Sequence, residues 1–237
     1  MGDIYGRDLA VIHVDAFEAL AASAAETLLK ALFERDLSGR VLDLGCGAGP
    51  LSQRIGQRGF PTWGLDISPA MIALARERLP RAELHCGSVL DADLPQAVAV
   101  AAVGEVLNYA TAHDPGGLTH VFQRVFEALE PGGVFLFDLA GPRRVGVGAS
   151  FKEAASWAVG VVATESDDLL VRKITTFRDL GDSAWSRSFE EHRLRLWPAA
   201  GVMEKLASCG FRVEELLGYD GVAMPPSLHV YLAVKPS

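Results

Sequence analysis

Val41–Pro50 reads VLDLGCGAGP, and the rest of the chain is placed around this decapeptide. A run ending in Leu-Asp-Leu passes into glycines at 45, 47 and 49, then into a proline that opens an amphipathic segment. That order turns a strand tightly into a helix beneath a small ligand. Glycine tolerates the backbone of a tight turn, proline suits the first helical position, and a helix N-terminus favours polar or anionic groups. A dinucleotide fingerprint spaces its glycines G-x-G-x-x-G. Here the third glycine comes one residue early and proline follows, which disfavours a nicotinamide-dependent oxidoreductase.

Downstream, Pro61–Ile67 reads as a second strand that closes near Asp66, and Ser68-Pro69 is a cap followed by a proline that starts a helix over Pro69–Arg78. Ala82–Cys86 is a third strand leading into Gly87-Ser88-Val89. The small-residue run Ala97–Val103 is a fourth, opening into Gly104-Glu105-Val106-Leu107-Asn108-Tyr109. Leu118, Val121, Phe122, Val125, Phe126 and Leu129 form a helical stripe that Pro131-Gly132-Gly133 breaks before a fifth strand, Val134–Leu139. Upstream, Val14, Phe17, Ala21, Ala24, Leu28 and Leu32 recur at helical steps over His13–Asp36, after a loop or first helical turn in residues 1–12.

Beyond the fifth strand the period changes. Trp157–Thr164, Leu169–Arg178 and Ala184–Trp197 are β-branched or alternating stretches separated by turn chemistry, read as a three-stranded antiparallel insert. Residues 140–150, rich in glycine and arginine, read as a mobile loop. A helix over Pro198–Ser208 precedes two last strands, Phe211–Leu217 and Leu228–Val234, joined without a helix and so antiparallel at the sheet edge. The fold class is α/β, with a Rossmann-like seven-stranded sheet ending in an antiparallel hairpin, the insert, and an N-terminal helical lid. It forms one domain: lid 1–37, core 38–140, insert 151–197, final helix and hairpin 198–237.

At 237 residues and 49% hydrophobic content the chain has ample material for one α/β core. Its formal net charge is −8, and the densest basic patches are Arg143-Arg144 and the Arg193/Arg195 pair, so nucleic acid is disfavoured as a partner. Cys46, Cys86 and Cys209 are odd in number and dispersed, which fits reduced thiols rather than disulfides or a zinc site, and no metal is expected. With no signal-peptide pattern and no apolar run of about 18 residues, a cytoplasmic protein without membrane contact is the expectation.

The glycine stretch does not stand alone. Asp43 lies two residues before the turn, Asp66 closes the next strand about twenty residues on, and a Gly-Ser loop closes the third. With E-V-L-N-Y after the fourth strand, the phrase L-E-P-G-G-V-F-L-F-D and the terminal hairpin, the chain resembles the class I S-adenosylmethionine-dependent methyltransferases. The resemblance is close over residues 38–140, and it points to the small-molecule branch.

That resemblance implies S-adenosyl-L-methionine as cofactor and a small-molecule acceptor. Asp43, Gly45, Cys46, Gly47 and Gly49 match the loop against the methionine part. Asp66 matches the acid that accepts both ribose hydroxyls, although alone it could merely cap the next helix. Ile67 and Met71 would lie beside the adenine. Ser88 and Val89 fall where many relatives carry an Asp on the adenine amino group, with Asp91 as a second candidate. Gly104 and Glu105 match the end of strand four, below the sulfonium.

Methyl transfer from a sulfonium rests mainly on positioning, and a base is needed only if the acceptor is protonated. Candidate bases are Glu105, His113 and His192. Tyr5, with His13, sits where relatives fold a segment over the cofactor, or else leads a surface helix. Asn108, Tyr109, Trp157 and Arg172 are candidate acceptor contacts, Asn108 and Tyr109 being equally readable as an exposed turn. Glu191, Arg193 and Arg195 share one strand face, read as ion-paired and solvated. The acceptor atom is open among O, N and C. Other readings are a non-catalytic cofactor-binding module and an RNA or protein methyltransferase.

Overall fold

The computed structural model describes residues 4–114, 116–143 and 148–237, and at residues 15–17 the backbone alone. Helix α1 (Arg7–Glu34) leads into β1 (Val41–Leu44), α2 (Pro50–Gln57), β2 (Thr62–Asp66), α3 (Pro69–Arg78), β3 (Glu83–Cys86) and β4 (Ala97–Ala102). A short α4 (Val106–Ala110), α5 (Gly117–Ala128) and β5 (Leu129–Ala140) complete the first half. Then come β6 (Gly148–Ala154), β7 (Trp157–Ser166), β8 (Leu169–Gly181), β9 (Ala184–Arg195), α6 (Ala199–Ser208) and β10 (Arg212–Leu216). A two-strand ribbon, β11 (Gly218–Tyr219) and β12 (Val222–Ala223), precedes β13 (Leu228–Val234).

Seven strands form the main sheet in the order β10-β13-β5-β4-β1-β2-β3. Only β13 runs against the others: it pairs antiparallel with both β5 and β10. The terminal hairpin is therefore present, with its second strand slotted inside the sheet and its first left at the edge. β1 and β4 are buried at every residue, as expected of central strands covered on both faces. Alternation along β5 divides the core. Phe135, Phe137 and Leu139 pack with Phe122 and Val125 of α5 and Leu206 of α6, while Val134 and Leu136 face Leu28 and Leu32 of α1 and Ile55 of α2. Each such side chain contributes roughly 1.5–3 kcal/mol by leaving water.

The chain leaves β1 toward β2 and β3, then returns to build β4 and β5 on the other side. That reversal opens a crevice at the carboxyl ends of β1 and β4, where open α/β sheets bind ligands.

The insert has four antiparallel strands, not three. The extra strand, β6, pairs with β7 from Gly148↔Ala163 to Ala154↔Trp157. Its sequence, GASFKEA, is exposed throughout and has no apolar alternation, so no burial pattern marks it. It occupies part of the segment read as a mobile loop; residues 144–147 of that loop lie outside the described residues. Helix α1 starts at Arg7 rather than His13. Leu9, Ala10 and Ile12 are buried and Asp8 accepts from Arg178 Nε of β8 at 2.6 Å, so its first turns dock on the insert. Among the described residues, no helix is long and apolar enough to cross a membrane.

Candidate active site

A cavity of about 510 Å³ fills the crevice. Its floor is the loop after β1. Gly45, Gly47 and Gly49 all have positive φ, at 70°, 55° and 80°. At Gly45 a Cβ would also collide with Val106 of α4, so no other residue fits. Asp66, at the end of β2, fastens this loop: its Oδ2 accepts from Gly47 N and its Oδ1 from Ser68 N, each at 2.8 Å. Burial raises its carboxyl pKa. Ser68 caps α3 by accepting from Met71 N at 3.2 Å, and its hydroxyl donates to Tyr5 O at 2.8 Å, tying the N-terminal segment to the floor. Beneath the loop, Asp43 accepts from Ser52 Oγ at 2.6 Å, and burial lifts its pKa to about 6.

The loop after β4 forms the next wall. Gly104 and Glu105 both have positive φ, 91° and 63°, and Asp138 of β5 holds them there. Its Oδ2 accepts from Gly104 N at 2.8 Å and its Oδ1 from Glu105 N at 2.6 Å, while Tyr219 Oη donates to it at 2.6 Å. Burial lifts the Asp138 pKa to about 6.

Opposite stands the inner face of the insert. Arg172 of β8 grips Glu105 with two contacts, 2.9 Å and 3.2 Å, and its Nη1 donates to Tyr109 Oη at 3.1 Å. Tyr109 Oη lies 3.3 Å from His192 Nδ1, and His192 Nε2 lies 2.9 Å from Glu190 Oε2. Glu190 also accepts from Tyr5 N at 2.8 Å and Gly6 N at 3.1 Å, holding the N-terminal segment across the cavity mouth. The Tyr5 ring rests against His13, His192 and Tyr109 at 4.9, 5.1 and 6.1 Å between centroids. Burial, then the neighbouring His192, lowers the His13 pKa to about 4, keeping that ring neutral.

Residues 41–133 match a family model described as a methyltransferase domain. The putative methyltransferase YqeM of Bacillus subtilis (strain 168) is 28% identical over 198 residues, 75% of each chain. Trans-aconitate 2-methyltransferase of Variovorax paradoxus (strain S110) is 29% identical over 73% of this chain and 68% of its own. The sugar N-methyltransferase KedS8 from Streptoalloteichus sp. superposes with a TM-score of 0.81 at 22% identity, over 100% of this chain and 96% of that one. Residues 41–133 thus carry a methyltransferase domain, and the comparisons together support a class I S-adenosylmethionine-dependent methyltransferase.

The methyltransferase's cavity suits its cofactor by chemistry. Each Asp66 oxygen receives one N–H and keeps acceptor capacity for a hydroxyl. Arg78 lines the wall with a buried Nη1 that has no hydrogen-bond partner and lies 3.7 Å from Glu18 Oε1. Of the residues singled out in sequence, Tyr5, Asp43, Gly45, Cys46, Gly47, Asp66, Ile67, Met71, Ser88, Val89, Gly104, Glu105, Tyr109 and Arg172 line the cavity. Asp91 borders it beside Ser88. Gly49 packs instead toward Leu79 as the cap of α2.

Four candidates are placed elsewhere. Asn108 is fully buried: its Nδ2 donates to Ala140 O at 3.0 Å and Arg195 O at 2.5 Å, and its Oδ1 accepts from Ala140 N at 2.9 Å. It is a latch between α4, β5 and β9, not an acceptor contact. Trp157 pairs with Ala154 and Arg178 away from the cavity. His113 is exposed and does not border the cavity. His192 is fully buried behind Tyr109, and so reaches the cavity only through that phenol. On the insert's other face, Glu191 and Arg193 form the expected exposed pair at 2.7 Å. Arg195 departs from it: it pairs with Asp168 and donates to Thr111 O at 3.2 Å.

Asp138 and Glu190 were not singled out in the sequence. Asp138 carried a signal, as the one acid in the buried apolar part of β5, Val134–Ala140. Glu190 carried none, being one of two adjacent glutamates on a polar strand.

Proposed function

We propose that this methyltransferase acts on a small-molecule acceptor whose reacting oxygen or nitrogen arrives carrying a proton, and that Tyr109 takes the proton and hands its own to His192. The observation that carries the reading is the hydrogen-bonded chain Tyr109–His192–Glu190, whose outer end borders the cavity. An ionised carboxylate only accepts, so Glu190 fixes the imidazole proton on Nε2 and leaves Nδ1 to accept the Tyr109 O–H.

S-adenosylmethionine supplies an electrophilic methyl on its sulfonium. Asp66 and the glycine loop hold the cofactor side, and Tyr5 closes the mouth against water. As the acceptor's lone pair takes the methyl that the cofactor would supply, the sulfur–carbon bonding pair staying on sulfur, the acceptor's proton would pass to the Tyr109 oxygen and Tyr109's proton to His192 Nδ1. Glu190 balances the imidazolium that forms, and Arg172 steadies the phenol oxygen. Glu105, committed to Arg172 by two hydrogen bonds, orients that guanidinium rather than acting as the base. A mouth held shut by Glu190 favours a small acceptor, as do the names of the trans-aconitate and sugar methyltransferases.

The test uses radiolabelled S-adenosylmethionine with a panel of polycarboxylic acids, including trans-aconitate, and of hydroxy and amino sugars. With the acceptor found, Tyr109→Phe and His192→Gln each lower kcat by roughly 10²–10³ while cofactor affinity by calorimetry stays within about threefold. An unchanged kcat in His192→Gln, a His192 proton found on Nδ1 by nitrogen NMR, or a folded parent that binds no cofactor overturns the reading.

A further inference from the structure

The apolar residues on the face of the insert that points away from the cavity do not line it. Pairing register lines up Phe151, Gly160, Thr175 and Phe189 in one row across β6, β7, β8 and β9. Val162 and Phe177 sit in the rows on either side of it, and Trp185 one row further. Phe151, Val162, Trp185 and Phe189 are 63%, 49%, 51% and 57% exposed, and Phe177 is 38% exposed. Five large apolar side chains on one face of one sheet are more than the scattered apolar surface of a soluble monomer, and contiguous patches of this kind mark contact surfaces.

We propose that this face is the contact between two copies of the chain, related by a twofold axis that crosses the strands at Phe189. The order of side chains along β9 selects this occupant. Its outward residues are Trp185, Arg187, Phe189, Glu191 and Arg193. Turned about Phe189, the strand lays Arg187 on the partner's Glu191, Trp185 on the partner's Arg193, and Phe189 on the partner's Phe189. Charge meets opposite charge and cation meets indole, and each contact occurs twice, as an isologous interface requires. Glu191, already 2.7 Å from its own Arg193, then lies between two guanidinium groups.

Packing geometry agrees. Two sheets stack face to face about 10 Å apart with strands within roughly 30° of alignment. Four strands about 4.8 Å apart, over the length of Trp185–Arg193, present a face of roughly 600 Å², near the ~800 Å² per partner of a standard interface. Lys173, Arg187 and Arg193 are matched on this face by Glu153, Asp179 and Glu191. Such balance suits a second copy better than nucleic acid or an anionic membrane, either of which calls for one sign of charge.

Sedimentation equilibrium of the full chain over a concentration series tests this independently of methyl transfer. The expected result is a species of twice the 25.3 kDa chain mass. Phe189→Asp shifts it to the monomer with melting temperature and cofactor binding retained, since the side chain is solvent-facing in the single chain. Arg187→Glu and Glu191→Arg each weaken association, and combining them restores it, because the swap preserves the pairing across the axis. A parent that stays monomeric throughout, a dimer indifferent to Phe189→Asp, or a double swap as weak as its single variants overturns the proposal. So does a monomer whose outward face binds anionic vesicles instead.

Discussion

Around the glycine loop, the contacts that shape the cavity run through backbone atoms of neighbouring segments: Asp66 reaches Gly47, 19 residues away, and Ser68, 2 residues away. Across the cavity, the wall is made of side chains brought from afar. Arg172 meets Glu105 over 67 residues, His192 meets Tyr109 over 83, and Glu190 meets Tyr5 over 185. The first wall is a conformation that a few glycines and a carboxylate impose, and it serves any reaction using the cofactor. The second exists only once the insert has folded against α1 and α4, and it is where a particular acceptor can be chosen.

The sharpest way to separate the two walls is Asp66→Ala. It unties the loop by removing the acceptor of the Gly47 and Ser68 N–H groups, and it takes away both oxygens offered to the cofactor's hydroxyls; hydrogen bonds to a charged group are worth about 1.5–3 kcal/mol each, so cofactor affinity by calorimetry falls by at least ~100-fold. If affinity holds, the loop is not what binds the cofactor. Glu190→Ala acts on the other wall. It strips the partner from the amides of Tyr5 and Gly6, so their hydrogen exchange accelerates by roughly 10–100-fold, while exchange at Gly47 stays as in the parent. Acceleration at Gly47 as well would make the two walls one cooperative unit.

A smaller effect lies in pH. The folded Asp43 carboxyl titrates near 6, above its ordinary value of 3.8, chiefly through burial. A raised folded pKa means that the protonated form is the one folding favours: its stabilising contribution is complete at acid pH and is lost as pH rises through about 6. Asp43→Asn keeps an acceptor for Ser52 and escapes this loss. It is therefore expected to match the parent near pH 4 and to exceed it by up to about 3 kcal/mol above pH 7 in ligand-free denaturant unfolding. Part of the parent's pH slope remains in the variant, because Asp138 is raised in the same way. Equal stability at both pH values would show that Asp43 does not titrate in this range.

The same contrast explains what the sequence revealed. The positions of the main-sheet strands, the loop after β1, the Ser68 cap and Asp66 were legible because their signals are local: glycine spacing, a proline at N1 and apolar strands. Asn108 was misread because nothing near it shows that its amide is consumed by Ala140 and Arg195, 32 and 87 residues away. Strand β6 was missed because a strand exposed at every position leaves no apolar period to detect. Asp138 hid in plain view: its partners Gly104 and Glu105, in the loop after β4, and Tyr219 belong to two other segments of the chain.

Glu190 accepts from the Tyr5 and Gly6 amides with the same carboxylate that faces His192. Lifting the N-terminal segment thus frees lone pairs that water will claim, and it uncovers the imidazole's counter-charge at the moment the cavity is wet. On the proposed proton route the site would be an interlock, in which the bolt that shuts the door also closes the proton circuit, so that a proton would leave the acceptor only in a sealed chamber.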